Sequence, residues 1–457
     1  MKSDGGAKRR LTAVLRRIIS GKSGEKISLR RFMAPMMTIA GGTAVAQLIL
    51  LAATPVITRI FSPAEFGAFG VFLSVTMLLG AVGSLGYDRA VPLPETERDA
   101  VATLMVAFLF GALSGLLTLG VLLALPHLLP AGSTSAWLGG DMLWLAPPAI
   151  VLQAWTLGLQ YWFIRRKHYR ALPTTRIATN VGVVVGQVGL GLVSASRYSL
   201  ALGQVIGTAL GAVMLGLMGR VALREVDLGG AVARMRDMTL RYVRFPAFVL
   251  PSLFLNRGAF YIPTIMVGAL YGVEAAGFFA LSQRLVGAPV EWMKQGVSQV
   301  LYGESSERAR NNPAELLIQF HAVTRVLLIV GAVAAVVIAL AAEFLIAPVF
   351  GERWGAAARF LQAMAFLVPF RAAYASTSQF NAIERQDIYL YWTVMQFVVV
   401  AATLALPHWL GGTAVHAVFW YAAGSAFNYF VMARLYVWAV HRFLASRPAP
   451  ETDTASA

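Results

Sequence analysis

Arg284, Glu291 and Lys294 all lie inside one stretch, Ala275–Tyr302, whose length and apolar content otherwise fit a helix crossing a bilayer. At about 100° per residue, Arg284, Gly287, Ala288, Glu291, Lys294, Gln295 and Ser298 share an arc of roughly 120°. Leu285, Val286, Pro289, Trp292, Met293, Val297 and Val300 fall on the other side. A charge at mid-bilayer costs about 2.5–3.5 kcal/mol on insertion scales. A stripe with three charges must therefore face other helices or a wet cavity. Arg257 and Arg371 are the other deep cations of the chain. Intramembrane charges mark ligand and ion pathways, so Arg257, Arg284 and Lys294 are expected to line a substrate cavity. Glu291, three residues before Lys294 on the same face, is expected to balance that ammonium. It is also the residue to carry a coupling proton if transport is proton-driven.

The elements that hold these residues are membrane spans. Of the 457 residues, 58% are hydrophobic and 13% charged, against about 25% charged in soluble domains. Long apolar runs recur along the whole chain, which predicts an all-α, polytopic membrane protein and not a β-barrel. The net charge of +16 would suggest nucleic acid in a soluble protein. Here the loop cations collect on one side, and only Arg59, Arg197, Arg353 and Arg359 fall in the opposite loops. That is the positive-inside pattern, so no nucleic-acid partner is expected. Cysteine is absent, which excludes disulfides.

Twelve spans are predicted, with both termini cytoplasmic: about 36–57, 66–87, 100–125, 142–163, 172–194, 200–221, 245–270, 275–302, 316–346, 356–380, 388–406 and 415–440. The first six form an N-lobe (32–221) and the last six a C-lobe (245–441), joined by an arginine-rich cytoplasmic linker at 222–244. A basic extension (1–31) precedes them, and a Pro/Ala/Ser/Thr-rich tail (442–457), expected to be disordered, follows. Pro147 and Pro148 are expected to interrupt the fourth span. Arg176 and Arg434, near the inner ends of their spans, are expected to snorkel to the interface. The turn Phe61-(five residues)-Gly67-Ala68-Phe69 is similar to Tyr271-(five residues)-Gly277-Phe278-Phe279. It suggests two halves related by an axis along the membrane normal, with a cleft between them.

Other chemistry is unsupported. The histidines are scattered without metal-ligand spacing, so no metal is expected. No phosphate-binding loop occurs, so no nucleotide or other cofactor is expected. Gly111-x-x-x-Gly115, Gly182-x-x-x-Gly186 and Gly207-x-x-x-Gly211 read as helix-packing motifs.

Several passages, in order, resemble the lipid-linked oligosaccharide flippases, the polysaccharide-biosynthesis membrane proteins of the MOP (MATE-like) superfamily: PVITRIFSPAEFGAFGVFLSV, IRRKHYRALPTTRIATNVGVVVGQVGLGL, GQVIGTALGAVML, LRYVRFPAFVLPSLFLN, YGVEAAGFFALSQRLVGAPV and FGERWGAAARFLQAM. The resemblance covers roughly 32–442. It implies a two-lobed, non-enzymatic transporter of the bacterial inner membrane. This would move an undecaprenyl-diphosphate-linked oligosaccharide between leaflets by alternating access, for lipopolysaccharide, capsule or exopolysaccharide. Membrane lipids and polysaccharide polymerase and co-polymerase proteins are the implied partners. Arg257 and Arg284 suit a diphosphate, with Lys294 and Arg371 as further cations, because guanidinium grips phosphate oxygens bidentately. Asn256, Gln283, Gln295, Trp292 and Tyr261 suit sugars. Glu291 and Lys294 depart from the family pattern, and the extension 1–31 lies outside it. A drug or cation antiporter of the same fold would be expected to carry several deep carboxylates. A glycan polymerase or ligase would need a larger outer loop than Pro126–Asp141.

Overall fold

A computed structural model describes residues 26–128, 140–224, 230–311, 315–373 and 386–445. These residues are almost wholly helical, as backbone in hydrocarbon requires when every N–H and C=O must be satisfied within the segment. The first half contains α1 (Lys26–Ile60), α2 (Pro63–Val82), the short α3 (Tyr87–Ala90), α4 (Glu97–Leu128), α5 (Ala146–Arg165), α6 (Ala171–Val193) and α7 (Arg197–Arg224). The linker region holds α8 (Ala231–Arg241). The second half contains α9 (Leu250–Tyr271), α10 (Val273–Asn311), α11 (Glu315–Phe350), α12 (Ala357–Ala365), α13 (Val368–Ala373), α14 (Gln386–Trp409) and α15 (Ala414–Ala445).

Among the described residues, nine helical segments are long and apolar enough to cross a bilayer. Two more expected spans, α10 and α15, are single helices of 39 and 32 residues, whose polar side chains lower their hydropathy. The tenth expected span is not one continuous helix where it is described. It divides into α12 and α13, because Pro369 has no N–H to return to the carbonyl of Ala365. Its remainder, from 374, lies outside the described residues, as do the extension before 26 and the tail after 445. Pro147 and Pro148 do not interrupt a span. They sit in the first turn of α5, after a 3₁₀ turn at Gly140–Leu145, where a missing N–H costs nothing. Pro246 lies in a widened π-type turn, Phe245–Val249, that leads into α9.

Leu117, Leu192, Val193, Leu340 and Phe344 are exposed and form the lipid-facing surface. The interior is held together by small residues and rings. α6 and α7 pack backbone to backbone: a Cβ on Gly186 would lie 2.9 Å from the Gly203 Cα, and one on Gly207 would lie 2.4 Å from the Val183 nitrogen. The largest buried cluster runs from Ile57, Phe61, Phe66 and Phe69 of the first half to Val267, Phe278, Phe279, Trp354 and Phe360 of the second. It therefore joins the halves, with α2 lying along both α9 and α10.

Gly203→Ala and Gly207→Ala should each destabilise the purified protein by about 1–3 kcal/mol, the usual cost of overpacking. Gly216→Ala, where a Cβ meets nothing within 4 Å, should leave the thermal unfolding temperature in detergent unchanged.

Candidate functional site

Of the predicted site residues whose side chains are described, Arg284 reaches the other half, while Asn256, Gln283 and Arg371 bond within their own. On α10, the half-buried Arg284 reaches across and donates from Nη2 to the Leu50 carbonyl of α1 at 2.9 Å. The Thr54 hydroxyl donates to the same carbonyl at 2.7 Å. On α9, Arg257 is exposed and faces the Tyr261 hydroxyl one turn further along. It is also within electrostatic range of Tyr161 on α5 and Arg176 on α6. Arg257 and Arg176, from opposite halves, thus repel each other electrostatically. Arg176 is steadied by donation from Nη1 to the Thr43 hydroxyl of α1 at 2.7 Å.

Gln283 and Arg371 belong to a second cluster within the second half. Thr264 donates to Gln283 Oε1 at 3.2 Å, and Gln283 Nε2 donates to the Phe260 carbonyl at 3.2 Å. The Arg371 guanidinium lies over the Phe260 ring, 5.2 Å from its centroid, and within electrostatic range of the buried Tyr421. Phe260 and Tyr261 meet edge to face at 5.0 Å, which connects this cluster to Arg257. Asn256 donates from Nδ2 to the Tyr389 hydroxyl of α14 at 2.8 Å. The side chains of Glu291, Trp292, Lys294 and Gln295 lie outside those described.

Arg176, Arg257, Arg284 and Arg371 form no ion pair with a described carboxylate. Their partners are hydroxyls, a carbonyl and ring faces. A cation held only by neutral oxygens keeps most of its desolvation cost. It therefore favours water or an incoming anion. The chemistry on offer is electrostatic recognition of an anionic group between the two halves.

Sequence reading placed Arg176 at the interface as a snorkelling residue and did not single out Tyr161 or Thr43. No local signal marks Tyr161 or Thr43, since only helix packing brings them near Arg257 and Arg176. Asp88, read as a span end, is 2% exposed and accepts from the Ser84 hydroxyl at 2.5 Å. Burial holds its carboxyl above the usual range despite Ser84 and Arg89.

Residues 56–359 match a family model described as "Polysaccharide biosynthesis protein". The chain is 25% identical over 411 residues to the succinoglycan biosynthesis transport protein ExoT of Rhizobium meliloti, covering 86% of this chain and 79% of that protein. It is 25% identical over 249 residues to the teichuronic acid biosynthesis protein TuaB of Bacillus subtilis, covering 53% of this chain and about half the length of TuaB, 50%. Its fold is that of the lipid II flippase MurJ in an inward closed conformation, with TM-score 0.69 and 11% identity over 91% of this chain and 94% of that one. It is also that of an inward-facing multidrug MATE transporter of the MOP superfamily, with TM-score 0.61 and 13% identity over 87% and 95% of the two chains.

The raised carboxyl of Asp88 sets a pH dependence. A folded-state pKa above the unfolded one means that the folded chain favours the protonated acid. That stabilisation is present below the unfolded pKa and is lost as pH rises through the folded one. Asp88→Asn should therefore be more heat-stable than the parent at pH 7, with the gap closing towards pH 4, as read by thermal unfolding across that range.

Proposed function

Because the chain belongs to the polysaccharide biosynthesis protein family, we propose that it moves an undecaprenyl-diphosphate-linked oligosaccharide from the cytoplasmic to the periplasmic leaflet of the bacterial inner membrane. In this reading, twelve spans form lobes at 32–221 and 245–441 around the cleft, with both termini and the 222–244 linker in the cytoplasm. The product would feed surface polysaccharide synthesis, with polymerase and co-polymerase proteins as the next acceptors. The observation that supports the reading is that Arg176, Arg257 and Arg284, drawn from both halves, have no described carboxylate partner, while Arg284 bonds across to the first half.

A diphosphate supplies the missing negative charge. Arg257 and Arg176 approach it from opposite halves, and charge-assisted bonds to phosphate oxygens are about twice as strong as neutral ones. Arg284 sits on α10 with its single described bond to a carbonyl, which a phosphate oxygen outcompetes as an acceptor. Sugars fit the remaining groups: the Gln283 amide, Asn256, Tyr261 and the Phe260 face. The prenyl chain, being wholly apolar, stays in the bilayer. Lys294 and Gln295 add to the same stripe of α10 in this reading, and Glu291 balances Lys294. The chain's contribution is binding and orientation. No bond is made or broken, and alternating access carries the head group across.

Glycan export in cells tests this. Arg257→Ala and Arg284→Ala, at normal protein levels, should each reduce export by about tenfold or more, since a charge-assisted hydrogen bond is worth about 1.5–3 kcal/mol. Lysine at either position should restore part of it, by keeping the charge without the bidentate grip. Unimpaired export by both alanine variants would overturn the assignment.

A further inference from the structure

On the lipid-facing side of the first half, α1 and α6 part to leave a groove of about 420 Å³. Ala53 and Val56 of α1 and Val184, Val185, Val188 and Gly189 of α6 line it. Every one of these residues is apolar, and Val56 and Val185 are exposed. Gly189 keeps the groove open, since a Cβ there would meet nothing within 4 Å. The seam between the two helices is tight on either side of this opening. Asn180 donates from Nδ2 to the Ala46 carbonyl at 2.6 Å on one side, and on the other a Cβ on Gly191 would lie 2.6 Å from the Phe61 ring. An apolar cavity of about 150 Å³ holds one benzene, so by proportion this groove takes a chain of roughly fifteen carbons.

Two of the four loop cations that stand away from the arginine-rich side flank the near end of this groove. Arg59 lies three residues beyond Val56, on the same exposed side of α1. It donates from Nη2 to the Pro348 carbonyl at 3.1 Å, and no described carboxylate meets its guanidinium. Arg197 is exposed at the start of α7, a short turn after α6 ends. Tyr198 beside it is exposed as well, as aromatic rings at head-group level are. The Gly191–Phe61 contact joins the helix ends that lead to these two arginines. The charge bias of the loops disfavours cations on this side, which makes a pair of them above an apolar groove a specific feature.

We infer that the α1–α6 groove binds one phospholipid with an anionic head group, from the leaflet away from the arginine-rich loops. Its acyl chain lies against Val56, Val185 and Gly189, and its phosphate between Arg59 and Arg197. The wall gives dispersion contacts to any hydrocarbon chain, so the groove fixes where the chain lies and the arginines choose the head group. Guanidinium suits that choice because it grips phosphate oxygens in pairs. Ala53 stands one turn beyond Leu50, whose carbonyl Arg284 holds from the other half. A chain in the groove therefore packs against the turn of α1 next to that bond. The site stands independently of the transport reading above.

Native mass spectrometry of the full chain in detergent counts the lipids it retains. With phosphatidylglycerol and phosphatidylcholine of the same acyl chains as probes, one phosphatidylglycerol should be held about tenfold or more tightly than phosphatidylcholine, the combined pull of two basic residues. Arg59→Gln and Arg197→Gln should each weaken its binding by about fivefold, the weight of one basic residue at an anionic surface. Arg353→Gln, exposed in the turn before α12, should leave binding unchanged. Gly189→Leu fills the groove and should remove the tight lipid. Gly216→Leu on α7, where a Cβ also meets nothing within 4 Å, should retain it. Should Gly189→Leu fail to accumulate, Val185→Phe narrows the groove in its place and should weaken binding. Equal retention of the two phospholipids, or equal binding by the groove variant and Gly216→Leu, would overturn the site. Displacement of the bound phosphatidylglycerol by an equimolar amount of undecaprenyl phosphate would also overturn it, by giving the groove to a prenyl chain.

Discussion

A guanidinium group inside a membrane must find water, an anion or protein oxygens, because hydrocarbon offers it nothing. That constraint organises this molecule. Arg284 answers it with a carbonyl of the opposite half, and Arg176 with a threonine hydroxyl. Arg371 lies over a ring, and Arg257 stays exposed. Arg284, Arg176 and Arg371 each need an element from elsewhere in the chain, so these cations tie α10 and α6 to α1, and α13 to α9. The lipid-facing surface, free of this demand, is built from leucine, valine and phenylalanine.

A second constraint is close approach. With lipid as apolar as leucine, helices in a bilayer gain little from burying apolar surface against each other. Gly186, Gly203 and Gly207 let α6 and α7 touch through their backbones. The same device recurs between the halves at Gly67 and Gly277. Within a half it fixes a rigid unit. Between halves it makes a contact that depends on shape alone.

Much of this was legible in the sequence. Apolar runs and the one-sided distribution of arginine announced a polytopic helical protein. The match between Phe61–Phe69 and Tyr271–Phe279 picked out two turns whose following helices the structure packs against each other. What was not legible depends on neighbours remote in the chain. Arg176 sits near a span end, where snorkelling is the ordinary outcome, and its bond to the Thr43 hydroxyl on α1 is not visible from its own span. Asp88 reads as an interface acid until α3 buries it beside Ser84. Pro369 carries the usual warning of a helix break. Pro147 and Pro148 carry the same warning but begin a helix, because the sequence does not tell which side of a turn a proline will take.

The Leu50 carbonyl bears on the mechanics of α1. It accepts from both Thr54 and Arg284, and a threonine bonding back to a carbonyl four residues earlier tends to bend a helix. One residue on, Pro55 leaves the Leu51 carbonyl without its usual donor. The ladder of α1 is therefore thinnest over a single turn at mid-membrane, where the opposite half takes hold of it. That turn is where α1 has the least backbone bonding to resist a bend. Whatever draws Arg284 away from Leu50 releases the other half's hold on α1 at its weakest turn.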